Sequence, residues 1–155
     1  MRHTWKQPGN PNRNFNLGYW NVLSLYRPGA LKLLLDQIDQ YKIDIATIQE
    51  IRWTGQGIQE KKRHTIFYSC DERVHEFGTG FIIRGRYRQL VIGFKAISTR
   101  VCLIRLRGKF YNYTILSVHA PTEAAEEDVK DAFYELLERT LDSCPRYDMM
   151  RDHSR

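Results

Sequence analysis

The sequence has no hydrophobic run near the roughly 18 residues that a membrane-spanning helix requires, and its first residues lack the hydrophobic segment of a secretory signal peptide. These absences predict a protein with no membrane partner. Only 3 cysteines are present, Cys70, Cys102 and Cys144, and their wide spacing excludes a Cys-x-x-Cys pair or a zinc-binding pattern. We therefore expect reduced thiols in an intracellular protein, either nuclear or cytoplasmic.

Acidic residues are missing from a long part of the chain, since no Asp or Glu lies between Phe77 and Thr122. The formal net charge of the whole chain is +6. This pattern predicts a basic side of the folded domain that suits a polyanionic partner, although an excess of this size also occurs on proteins that bind nothing acidic. The basic residues in this window are Arg84, Arg86, Arg88, Lys95, Arg100, Arg105, Arg107 and Lys109.

The chain does contain enough apolar material for a folded core. Its 155 residues fit one ordinary domain, and its 42% hydrophobic and 12% aromatic residues exclude a disordered chain. These values predict a single globular domain.

The most informative stretch is IDIATIQEIRW at residues 43–53. Its short β-branched run predicts a strand that is buried on both faces, with Glu50 at the carboxyl end. In open α/β sheets, ligands bind outside the carboxyl ends of the strands. Glu50 is therefore either a ligand-binding carboxylate or an ordinary solvated charge of a loop.

The segment before this strand predicts a βαβ unit. A strand over residues 15–22 precedes Pro28, which opens a helix whose apolar stripe consists of Leu31, Leu34, Leu35, Ile38 and Tyr41. Two strands joined in this way are parallel, so Asn21 and Glu50 are expected at the same edge of the sheet. Carboxylate and amide oxygens suit a hard cation such as Mg²⁺.

The rest of the chain predicts more strands and a second helix. We expect a loop at TGQG (54–57) and a charged turn at 71–76. Strands are expected at 65–69, 81–83, 90–94, 101–106 and 110–118. A helix should follow from Thr122 to about Asp142, with a buried stripe of Val129, Phe133, Leu136, Leu137 and Leu141. The glycines of Gly78-Thr79-Gly80 are expected to allow close backbone approach. His119 then ends a buried strand, as a structural hydrogen-bonding residue, a proton donor or a phosphate ligand.

Four motifs in order carry a family resemblance: WNV at 20–22, IQE at 48–50, GTGF at 78–81 and VHAPT at 118–122. Together they resemble the exonuclease-endonuclease-phosphatase superfamily, and in particular the endonuclease domain of non-LTR retrotransposons. The resemblance extends from about residue 16 to 148. It implies a two-sheet α/β sandwich that cleaves phosphodiester bonds with a metal ion.

The resemblance also implies roles for individual residues. Asn21 and Glu50 match the residues that hold the metal, Mg²⁺ or alternatively Mn²⁺, and His119 matches a residue that contacts the scissile phosphate or assists proton transfer. The partner implied is DNA, bound through its backbone. The residues expected to bind it are Arg52, Trp53, Arg84, Arg86, Arg88, Arg105, Arg107 and Lys109.

The sequence departs from the family because it contains neither a GDFN nor an SDH motif. We therefore expect the N-terminal part of the sandwich, with the second sheet largely missing and activity impaired. The expected organisation is a loose basic leader at 1–14, a partial domain at 15–148 and a frayed, non-homologous tail at 149–155 whose Asp152-His153 is no SDH element. A partner is expected to cover the exposed sheet face.

Two alternatives to catalysis stay open from the sequence. One is a non-catalytic remnant that binds nucleic acid weakly through the basic face. The other, weaker alternative is a phosphatase for a small phosphoester.

Overall fold

A computed structural model of the chain describes residues 2–4 and 15–153 and contains two sheets and two α-helices in this part. The strands are β1 (Arg2–Thr4), β2 (Asn16–Asn21), β3 (Ile45–Gln49), β4 (Gln56–Glu60), β5 (His64–Ser69), β6 (Thr79–Arg84), β7 (Val91–Ala96), β8 (Val101–Leu106), β9 (Tyr113–Val118) and β10 (Met149–His153). The helices are α1 (Ala30–Gln40), α2 (Glu127–Ser143) and a 3-10 helix (Gly85–Leu90).

The strands form a two-sheet α/β sandwich, which confirms the predicted fold class. The first sheet has 6 strands in the order β1-β2-β3-β6-β5-β4, and the second has 4 in the order β10-β9-β8-β7. β2 and β3 are parallel, as the βαβ prediction required, and β9 and β10 are also parallel. The remaining neighbours are antiparallel.

Strand β3 is buried along its whole length because both faces of the first sheet are covered. On one face, Ala46 and Ile48 pack against Leu34 and Ile38 of α1. On the other face, Ile45 belongs to the cluster that fills the space between the two sheets. Burial of this apolar surface stabilises the fold by about 25 cal/mol per Å².

The second sheet is also covered on both faces. Cys102, Ile104 and Ile115 point into the space between the sheets, whereas Val101 and Leu116 belong to a separate cluster with α2. The order of layers is α1, first sheet, second sheet, α2. Helix α2 buries this outer face, so these positions do not require the partner that we expected to cover it.

Both predicted helices exist, but the second is shorter than expected and their apolar stripes are narrower. Helix α2 begins at Glu127, not near Thr122, because residues 122–125 form a turn in which the Ala125 N–H donates to the Thr122 carbonyl. Phe133 is buried as predicted. Three other predicted stripe residues are exposed: Tyr41 of the α1 C-cap, and Val129 and Leu141 of α2.

Three predictions about irregular segments were wrong. Residues 56–57 belong to strand β4 and not to a loop. Because β4 lies at the edge of the sheet and its residues alternate between exposed and half-buried, its sequence has no run of apolar residues that would predict a strand. Residues 2–4 of the expected loose leader pair with β2. Residues 149–153 of the expected frayed tail form β10, because backbone pairing with β9 needs no apolar side-chain pattern. The rest of the leader, residues 1 and 5–14, lies outside the described residues.

The GTG sequence permits a close backbone approach, as expected. A Cβ atom on Gly80 would lie 2.2 Å from the Phe67 carbonyl oxygen of the neighbouring strand β5. Only glycine fits there without displacing the backbone. Within the described residues, no helix combines the length and the apolar character needed to cross a membrane.

Asp148 fastens the last described segment to the second sheet. Its carboxylate accepts hydrogen bonds from Arg105 Nε at 2.7 Å and Nη2 at 2.9 Å, and from the Thr114 hydroxyl at 2.7 Å. The Asp148 side chain is only 4% exposed. Hydrogen bonding by Arg105, and secondarily by Thr114, lowers the pKa of Asp148 below its usual range.

We expect Asp148→Asn to lower the free energy of unfolding by about 1–3 kcal/mol near neutral pH, because the charged hydrogen bonds are lost. A lowered folded-state pKa means that the contribution is complete above the unfolded pKa of about 3.9 and is lost as the pH falls through the folded value. Urea unfolding followed by circular dichroism should show the difference from the parent chain narrowing below about pH 4. Asp142→Asn, at an exposed position of α2, is the matched control, and a pH-independent difference would contradict the prediction.

Candidate active site

Three polar residues predicted from the sequence meet at one edge of the sandwich. Asn21 ends β2 and pairs in register with Gln49, so the following residue, Glu50, lies beside it. His119 follows β9 of the second sheet. The Gln49 side chain donates from Nε2 to the Val118 carbonyl at 3.0 Å, which brings the end of β9 to the end of β3.

Glu50 is the centre of this group. Its Oε1 accepts a hydrogen bond from Asn21 Nδ2 at 2.8 Å and lies 3.8 Å from His119 Nε2. Its Oε2 accepts a hydrogen bond from Arg52 Nη2 at 3.2 Å. The Glu50 side chain is 18% exposed, so it is reachable from solvent while being held by its neighbours.

The amide of Asn21 has one orientation that satisfies both of its contacts. Its Nδ2 donates to Glu50, and its Oδ1 accepts from the Leu23 N–H at 3.2 Å. A flipped amide would set two acceptors and two donors against each other. The Asn21 oxygen is therefore engaged by the backbone, and Asn21 serves to orient Glu50.

The backbone around Glu50 adopts a conformation that is uncommon for residues other than glycine. Glu50 has φ of 58° and Arg52 has φ of 59°, both in the left-handed region. Hydrogen bonds from neighbouring loops hold this turn: the Ser24 N–H donates to the Glu50 carbonyl, and the Arg52 N–H donates to the Phe77 carbonyl, each at 2.8 Å. Such strained positions often occur at functional sites.

Arg100 supports His119 and was not among the site residues predicted from the sequence. The His119 N–H donates to the Arg100 carbonyl at 2.8 Å, and Arg100 Nη1 donates to the His119 carbonyl at 3.1 Å. The Arg100 guanidinium lies 4.5 Å from the centre of the Phe77 ring, and that ring packs edge-on against the His119 imidazole. Burial lowers the pKa of Arg100. Its position in the basic window was the only sequence signal.

The two residues predicted to bind nucleic acid beside Glu50 have different surroundings. Arg52 is about half exposed and contacts the Glu50 carboxylate. Trp53 packs edge-on against Tyr68, and its indole N–H donates to the Leu25 carbonyl at 3.1 Å. Trp53 thus has a structural role in the α1 side of the core, whereas Arg52 faces the site.

The other predicted nucleic-acid-binding residues lie at the opposite end of the sandwich. Because β6 runs antiparallel to β3, its first residue pairs with Gln49 near the site and its last residue, Arg84, lies at the far end. Strand β8 likewise begins opposite Val118 and ends opposite Tyr113. The predicted residues at or beyond these far ends are Arg84, Arg86, Arg88, Arg105, Arg107 and Lys109.

Several of these basic side chains are already bound within the protein. Arg84 donates from Nε to the Ile43 carbonyl at 2.8 Å and from Nη2 to Asp44 at 3.2 Å. Arg105 is held by Asp148. Arg86, Arg107 and Lys109 are exposed and form the accessible part of the predicted basic face.

The site has one carboxylate suited to a cation. In the described part of the chain, no group of three or more His, Cys, Asp or Glu residues is arranged to hold a metal ion. Mg²⁺ needs no such cage, because it keeps several waters and is often held by one or two carboxylates together with substrate phosphate. The partly exposed oxygens of Glu50 fit that requirement, whereas the oxygen of Asn21 faces the backbone.

Solved structures share this fold. The chain superposes on AP endonuclease LMAP from Leishmania major with a TM-score of 0.65 and 12% identity, over 99% of this chain and 58% of that one. For the endonuclease domain of TRAS1, a telomere-specific non-LTR retrotransposon, the TM-score is 0.54 and the sequence identity is 16%, over 86% of this chain and 56% of that one. For D. rerio TDP2 complexed with a single-strand DNA product, the TM-score is 0.60 and the sequence identity is 11%, over 88% of this chain and 58% of that one. The chain therefore has the endonuclease/exonuclease/phosphatase fold.

The sequence relatives are more specific. The chain is 34% identical over 134 residues to craniofacial development protein 2 from Bos taurus and, at the same identity and length, to that from Tragulus javanicus. These residues make up 86% of this chain but only 22–23% of the relatives, so the chain is similar to about a fifth of their length. No family model matches the chain.

We expect Asn21→Asp to lower the free energy of unfolding by about 1–3 kcal/mol near neutral pH, because it replaces a donor to Glu50 with a second carboxylate. Asn21→Ala, which removes the donor without adding charge, is the control. Urea unfolding of the parent chain and of both variants near neutral pH is the measurement, and an Asn21→Asp variant as stable as the parent chain would contradict the role assigned to Asn21.

Proposed function

We propose that the edge formed by Asn21, Glu50 and His119 is a metal-dependent phosphodiesterase site that cleaves DNA as an endonuclease. The observation that carries the proposal is that the Asn21 amide and the His119 imidazole both lie beside Oε1 of the Glu50 carboxylate. The three residues lie at the carboxyl ends of strands from both sheets. Such strand ends are where α/β sheets bind ligands.

Each side chain has a role that its contacts support. Glu50 would hold Mg²⁺, or Mn²⁺ in its place, through its carboxylate oxygens, while Asn21 fixes their orientation. A bound divalent cation supplies neutralisation of phosphate charge and a more acidic water. The imidazole of His119, which packs against the Phe77 ring on a backbone held by Arg100, would donate a hydrogen bond to a phosphate oxygen or transfer a proton. Arg52 adds a cation that attracts the phosphate.

The similar proteins support a nucleic-acid substrate. Two of the structures with the same fold are named as endonucleases, one of them from a retrotransposon, and a third was solved with a single-strand DNA product. These names describe those proteins. They favour a nuclease reaction over hydrolysis of a small phosphoester as the proposal for this chain.

The proposal predicts Mg²⁺-dependent nicking of supercoiled plasmid by the purified chain. Glu50→Gln should reduce the nicking rate by about a hundredfold or more, because the neutral amide loses the charge that holds the cation. Glu72→Gln, at an exposed position in the 71–76 turn, is the matched control and should nick at the parent rate. The assay is run with Mg²⁺, with Mn²⁺ and with EDTA.

Nicking that persists in EDTA, or is equal in Glu50→Gln and the parent chain, would contradict the proposed reaction. Absence of nicking in the parent chain would instead favour the second candidate. This is a non-catalytic nucleic-acid-binding function through the exposed basic face. One observation favours it: Arg52 already engages one oxygen of Glu50.

A further inference from the structure

A cavity of about 260 Å³ opens between the two sheets at the end opposite Glu50. Its walls include the rings of Phe15, Tyr87 and Tyr113. The Phe15 ring packs edge-on against both tyrosines, with ring centres 6.3 Å apart for Tyr87 and 5.6 Å apart for Tyr113. Leu90 and Leu106 complete the apolar part of the wall. Mostly apolar cavities with a few polar groups are typical of sites that bind small molecules.

The mouth of the cavity is basic. Arg86 and Arg107 line it, and both are exposed. A second groove of about 450 Å³ shares Arg86 and Tyr87 with the cavity and adds Lys42 and Arg63. The two hollows therefore adjoin at Arg86 and Tyr87, and cations line both.

The acidic groups of this groove are already occupied. Asp39 pairs with Arg63 at 3.2 Å and with His64 at 2.7 Å, and Asp44 pairs with Arg84 at 3.2 Å. Among residues 15–148, neither Lys42 nor Arg107 forms an ion pair, so these cations remain available for an anionic ligand.

An exposed aromatic residue stands beside the basic mouth. Phe110 in the loop between β8 and β9 is 78% exposed, and Lys109 Nζ lies 5.4 Å from the centre of its ring. The Arg107 N–H donates to the Leu90 carbonyl at 2.7 Å, which anchors the start of this loop at the cavity. Exposed rings interleaved with cations are the pattern of surfaces that stack bases of single strands.

We propose that this end of the sandwich binds single-stranded nucleic acid. One unpaired base enters the cavity between the sheets, the adjoining phosphates contact Arg86 and Arg107, and the strand continues along Lys42 and Arg63. A base can enter only if it leaves a duplex stack, so the site selects single strands over duplexes. The inference extends the binding through the basic face proposed above and does not depend on cleavage at Glu50.

The test measures fluorescence anisotropy of a labelled single strand of about ten nucleotides, a length suited to one binding face. The chain carries Glu50→Gln and the buffer contains EDTA, so that cleavage plays no part. Parallel arms use DNA, RNA, an abasic strand of the same length and a duplex. We expect the DNA or RNA single strand to bind at least about tenfold more tightly than the abasic strand and the duplex.

Two variants locate the site. Arg86→Ala with Arg107→Ala should weaken binding about tenfold and reduce its salt dependence, whereas the charge-matched pair Arg139→Ala with Arg146→Ala, at exposed positions elsewhere, should not. Leu90→Phe, which narrows the cavity, should lower the preference for strands that contain bases. Urea unfolding checks that each variant is folded.

Equal binding of the abasic and normal strands by the unmutated site would overturn the proposal, and this comparison needs no cavity variant. A duplex that binds as tightly as the single strand would also overturn it. An equal loss of affinity in the two double-arginine variants would overturn it as well. Tight duplex binding and an equal loss of affinity would each indicate a general attraction between a basic protein and a polyanion.

Discussion

The candidate site depends on two polar contacts that join the sheets. Gln49 donates to the Val118 carbonyl, and the Ser117 hydroxyl donates to the Ile48 carbonyl at 3.2 Å. Both side chains are buried, where a polar group without a partner would cost free energy. These contacts therefore fix how the end of β9 meets the end of β3. Because Glu50 and His119 directly follow those strand ends, the same contacts set the distance between the carboxylate and the imidazole.

Both oxygens of the Glu50 carboxylate are held by neighbouring side chains. One oxygen accepts from the amide of Asn21 and the other from Arg52. A cation at Glu50 would compete with Arg52 for the second oxygen, and an arriving phosphate would offer Arg52 an alternative anion. The strained turn around Glu50 keeps its carboxylate oriented towards both neighbours.

The two ends of the sandwich have different chemistry. One end joins Glu50 and His119 in a small polar site, and the other combines an apolar cavity with exposed cations. The strands that separate them have 5 or 6 residues, a length of roughly 17–20 Å. A single strand of nucleic acid held at the basic end would therefore reach the polar end only by passing along the protein surface. The proposed binding and the proposed cleavage can therefore be tested independently.

Local pattern alone determined the elements that depend on burial. The β-branched run of β3, the spacing of Leu34 and Ile38, and the parallel placement of Asn21 beside Glu50 all followed from the sequence, since apolar periodicity reports which side chains are covered. The predicted strand at 110–118 placed His119 at a strand end, and the ordered motifs gave the two-sheet fold class. Tertiary structure decided the rest. Strand direction placed Arg84 at the end opposite Glu50. The hydrogen bond from Asn21 Nδ2 to Glu50, 29 residues away in the chain, fixed the orientation of the Asn21 amide, and another brought Arg100 to His119. Backbone pairing with β9 made β10 a strand. These outcomes depend on residues far apart in the chain, which no local pattern records.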